Sequence, residues 1–92
     1  MDYTITLSET EDKALSYAAY SQQDWIDNAV HERARIAIDE IADIVVKHCL
    51  DNGIQVPATR EDIVAYGFDN GIVKTAAVRQ AEAQAEAEML GN

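Results

Sequence analysis

The 92-residue sequence contains one cysteine, one proline, one tryptophan and one phenylalanine. A single thiol, Cys49, closes no disulfide within the chain and makes no cysteine-based zinc site alone. The disulfide framework of small secreted domains is therefore excluded. One proline, Pro57, is too few for a linker or a long irregular segment. Basic residues are also scarce. Seven Lys+Arg stand against 17 Asp+Glu, a formal charge of −10. Nucleic-acid affinity comes mainly from neutralising phosphates, so direct binding to DNA or RNA is excluded as a function. Anionic membranes are as poor a match. No apolar run approaches the roughly 20 residues of a membrane helix. The start, Met1-Asp2-Tyr3-Thr4, lacks the basic and apolar regions of a signal peptide, which makes the cytosol the default. A glycine-rich phosphate loop is absent as well.

What is present is a small acidic helical domain. Apolar residues at 48% and charged residues at 26% suit an ordered, water-soluble fold. A chain of this size hides only about 60–65% of its unfolded surface, so the core is small. The fold class expected is mainly α. One helical domain spans 1–74, and a C-terminal helical tail spans 75–92. Tyr3-Thr4-Ile5-Thr6-Leu7 alternates apolar and polar and reads as a short strand over 3–7. One strand needs a partner, and Ile54-Gln55-Val56 is the only candidate in the chain. Pairing across a subunit boundary, or an unpaired extended segment, are the alternatives.

Ser8-x-x-Glu11 is a capping box and starts a helix over 9–20, with Ala14, Leu15, Ala18 and Ala19 inward. Ser21-x-x-Asp24 opens the next, over 22–51, which stops at Asn52-Gly53. Its 30 residues span about 45 Å at 1.5 Å each. A compact chain of this length has a radius of gyration of only about 12 Å. Thr59-x-x-Asp62 starts a helix over 60–70, with Ile63, Val64 and Phe68 inward and Gly71 at its end. Thr75 caps a last helix, about Ala76 to Leu90, closed by Gly91. Its AAVRQAEAQAEAEML run alternates Ala and Glu, but these residues are strong helix formers and poor strand formers.

Stepping 100° per residue along the long helix gives two stripes. Ile26, Val30, Ala34, Ala37, Ile38, Ile41, Ile44 and Val45 share the face centred on Ile41. Trp25, Ile36, Val46 and Leu50 lie opposite, with Glu32, Asp39 and Asp43 between. Either the other helices cover both sides, or the back stripe meets another molecule. Trp25, Ile36, Val46 and Leu50 are the expected interface, with a symmetric dimer the first arrangement to test. Trp25 near the helix start reads either as an aromatic interface anchor or as a residue packed against the first helix, and Tyr17 and Tyr20 could join it in one aromatic cluster.

Few groups point to chemistry. Asp39 and Asp43 lie one turn apart beside Glu40. Paired carboxylates can hold a cation or work as an acid/base pair, but a solvated acidic face explains them as well. Helical di-metal sites need an inward Glu-x-x-His, which is missing. Adjacent His48 and Cys49 point about 100° apart on a helix, so they form no nucleophile pair. His31-Glu32 begins a zinc-protease motif, but position 35 is Arg. No catalytic residue, metal or cofactor is expected.

The stretch from Trp25 to Ala37 (WIDNAVHERARIA), the Asp39-Glu40-Ile41 step, Asn52-Gly53, Val56-Pro57 and Val73-Lys74-Thr75-Ala76 resemble a group of small proteins of tailed bacteriophages. Their genes sit among structural and tail modules. The resemblance covers about residues 3 to 80 and carries no site residues. It implies a phage protein located in the virion or the host cytoplasm. The expected function is non-enzymatic self-assembly or docking, as a tail or capsid accessory subunit or an assembly factor. The partner is then a second copy or another phage structural protein. The alternative is an acidic inhibitor that mimics DNA and blocks a basic surface of a host protein. Asp39, Glu40, Asp43, Glu82, Glu86 and Glu88 would carry that activity.

Overall fold

A computed structural model describes residues 1–90 of the chain. Those residues form four helices: α1 (Glu9–Ala18), α2 (Gln22–Asp51), α3 (Arg60–Asp69) and α4 (Ala76–Leu90). Two compact units divide within α2, one covering Met1–Ile36 and the other Ala37–Asn92. The long helix is continuous over its 30 residues, as expected.

The expected strand over 3–7 does not form, and no strand exists among the described residues. The reason is the lack of a partner. Ile54-Gln55-Val56 is irregular too, so backbone groups at 3–7 find no ladder. Tyr3 and Ile5 stand exposed, and only Leu7 is half-buried.

In the first unit the capping box at Ser8 is complete. The Ser8 hydroxyl accepts the Glu11 amide at 3.1 Å, and the Glu11 carboxylate accepts the Ser8 amide at 3.0 Å. Helix α1 ends at Ala18, two residues before the expected position 20, because Ala19 turns extended (φ −129°, ψ 140°). Leu15, Ala19 and Ile26 are half-buried, while Ala14 and Ala18 remain exposed. Tyr17 and Tyr20 stand in solvent, so the expected aromatic cluster with Trp25 does not form. The Gln22 side-chain amide donates to Asp12 at 3.2 Å, and Ser21 accepts the Asp24 amide at 3.3 Å.

The box makes α1 pH-sensitive. The Ser8 backbone amide first, and its hydroxyl second, hold the Glu11 carboxyl below its ordinary value of 4.5. A lowered folded pKa contributes stability that is present above the unfolded value and lost as pH falls through the folded one. Helicity followed by circular dichroism should therefore decline on acidification below about pH 4.5, and Glu11→Gln should remove part of that decline. Superimposable acid titrations of the two proteins would show that the box does not couple to pH.

The second unit holds the core. Val45 and Cys49 of α2 and Ile63 of α3 are buried, with Ile41, Ala42, Val46, Val56, Tyr66 and Ile72 packed around them. Thr59 caps α3 by accepting the Asp62 amide at 3.1 Å. Helix α3 stops at Asp69, one residue before the expected Asn70. The buried arc of α2 is centred about 70° from Ile41, between the two expected stripes, at 100° per residue. Ile44, expected inward, is thus 50% exposed. Phe68, also expected inward, is 41% exposed. It follows Gly67, the buried residue of α3 that lies directly against Val45.

Two glycines end helices in the left-handed region, Gly53 at φ 66° and Gly71 at φ 68°. Gly67 serves a different purpose, since a β-carbon there would stand 2.8 Å from Val45 Cγ2. Helix α4 starts where Thr75 accepts the Val78 amide at 3.2 Å, and Lys74 reaches Glu82 at 2.9 Å. None of its residues is buried. The expected closure at Gly91 lies outside the described residues, as does Asn92.

Candidate functional site

The four residues expected to form one interface fall in two units. Trp25 and Ile36 belong to the first, and Val46 and Leu50 to the second. In the second unit Val46 is half-buried and packs on the Val45–Cys49–Ile63 core. Leu50 is 71% exposed. Together with Ala42, Asp43, Lys47 and Asp51 they line an open groove. The Lys47 ammonium lies 3.3 Å from Asp51 at its edge.

In the first unit the apolar surface is broader. Trp25 is 52% exposed and Ile36 39%. Val30, expected to face a core, is 56% exposed. Every residue from 27 to 36 is exposed, on all sides of the helix. A second shallow groove runs here, lined by Trp25, Asn28, Ala29, His31, Glu32 and Arg35. Glu32 is tied to Arg35 one turn on, whose Nε donates to it at 3.1 Å. Ala29 was not among the expected interface residues. The signal that marks it is spacing, because 25, 29, 32 and 36 repeat at four, three and four.

The acidic set is only partly free to meet a partner. Asp39 pairs with Arg60 of α3, and Glu82 with Lys74. Glu40, Asp43 and Glu86 are exposed, and Glu88 is exposed but has an interaction of its own. His48 is half-buried and its carbonyl accepts the Asn52 side-chain amide at 2.8 Å. Cys49 is fully buried, so its thiol points into the core. Among the described residues no three His, Cys, Asp or Glu side chains are grouped to hold a metal ion, and no helix is long and apolar enough to cross a membrane.

No family model, curated protein or solved structure matches the chain.

Proposed function

We propose that this protein acts without catalysis, by self-assembly through apolar helix surface, as a virion accessory subunit or an assembly factor. The resemblance to small proteins of phage structural modules supplies the setting. The observation that carries the proposal is the stretch 27–36 of α2, wholly exposed yet apolar at Val30 and Ile36, with Trp25 exposed just before it. Helices whose apolar face stays in water are stabilised by what later covers that face. The acidic inhibitor is less favoured, because Asp39 and Glu82 already hold cations of their own chain.

Solution mass by light scattering on a sizing column tests this. The expected mass is two or more times 10.1 kDa, and it should change little as salt rises past about 0.15 M, where charges are screened over about 8 Å. Apolar contact survives screening, whereas an acidic mimic would release its partner. A monomer at every concentration and salt would sink self-assembly.

A further inference from the structure

The apolar stretch of α2 carries a more specific assignment, which rests on the self-assembly proposed above. We infer that the occupant of this surface is a second copy of the chain, bound antiparallel about a two-fold axis through the α2 segment Trp25–Ile36. Two observations lead there.

The first is spacing. Trp25, Ala29, Glu32 and Ile36 step by four, three and four, the seam of a two-helix coiled coil. They fall within about 60° of one another at 100° per residue. All four are exposed, and Trp25, Ala29 and Glu32 line one shallow groove.

The second is charge. The whole chain carries −10, yet Trp25–Ile36 holds two carboxylates, Asp27 and Glu32, and two guanidiniums, Arg33 and Arg35. Its formal charge is zero. The one carboxylate on the seam, Glu32, is already paired with Arg35 of its own helix. Two strongly acidic chains can therefore approach here without meeting like charge. The seam does not extend usefully beyond Ile36. Its next positions are Asp39, paired with Arg60, and Asp43.

Direction follows from the same charges. A parallel pair would set Glu32, Asp39 and Asp43 each opposite its own copy. An antiparallel pair centred between Val30 and His31 sets Trp25 level with the partner's Ile36 and Ala29 level with the partner's Glu32. The small Ala29 leaves room for the stems of the Glu32–Arg35 pair to lie over it. Asp39 and Asp43 then stand about 25 and 37 Å along the axis from their copies, at 1.5 Å per residue. Those separations are well beyond a screening length of about 8 Å.

The test combines mass with one distance. Gln23 is exposed on α2, and Gln23→Cys offers a spin-label site while the buried Cys49 stays unlabelled. Antiparallel pairing places the two labels about 22 Å apart along the axis. Parallel pairing places them about 8–10 Å apart. The expected result is a dimer with the long distance. Ile36→Asp should raise its dissociation constant at least about thirty-fold, the loss of a hot-spot side chain, and Trp25→Ala should act in the same direction. Circular dichroism confirms that each variant stays helical. A dimer unaffected by either substitution, or one with the short label distance, overturns this assignment and leaves self-assembly standing. A monomer at every concentration overturns both.

Discussion

Replacing Gly67 with alanine is expected to destabilise the protein by about 1–3 kcal/mol, the usual effect of overpacking a core. The sign is the informative part. At an exposed helical position the same change gains about 1 kcal/mol of helix propensity. Here the new β-carbon would stand 2.8 Å from Val45 Cγ2 and 3.1 Å from Val73 Cγ2. Val45 is fully buried, β-branched and in a helix, so one χ1 rotamer is strongly preferred and the methyl cannot swing aside. Helix α3 must move away from α2 instead, and the contacts of Ile63 move with it. For a chain of this length each kcal/mol lowers Tm by about 4–8 °C, which thermal unfolding resolves. The double variant Gly67→Ala with Val45→Ala should lose less than the sum of the two single losses, since the two sites touch and their effects should not add. A Gly67→Ala protein as stable as the wild type would mean that α3 does not sit this close to α2.

Truncating Ile63 to alanine is expected to remove about 2–5 kcal/mol. Only Val45, Cys49 and Ile63 form the buried apolar set among the described residues, so no large remaining core can absorb the cavity. Cys49 provides the readout. Its thiol is fully buried beside Ile63 and reacts only when the packing of α3 on α2 opens. Where opening is fast relative to labelling, the labelling rate follows the open population. A loss of about 2 kcal/mol or more then speeds modification of native protein at least about thirty-fold, since 1.4 kcal/mol is tenfold. An unchanged rate would show that Ile63 does not hold Cys49 closed.

Much of the fold was legible because its signals are local. Ser8, Thr59 and Thr75 each accept an amide three residues on, as their spacing implied, and α2 spans the residues expected. Capping and glycine stops act within one turn, so neighbours in sequence settle them. The strand at 3–7 failed for the opposite reason. Alternation at Tyr3–Leu7 describes a strand that something else must pair with, and the described residues supply no partner. Ile26, Ile38, Ile41 and Val45 of the expected inward face are buried or half-buried, but in the second unit the buried arc is centred about 70° from Ile41, because periodicity finds apolar stripes but not the helix that covers them. Val30 and Ile44 matched the pattern and are exposed, while Cys49 and Ala42 lay off its centre and joined the core.

The candidate surface divides in the same way. The zero charge of Trp25–Ile36 and its four-three-four spacing are properties of the sequence alone. Only the tertiary structure decided that this stretch is exposed on all sides, whereas Val46, from the same expected stripe, is half-buried on Ile63 and its neighbours. The physical reason is that helix formation depends on contacts within a turn, while burial depends on which distant segment arrives. In the second unit α3 arrives, because Gly67 lets its backbone approach Val45. Residues 27–36 receive no such cover within the first unit.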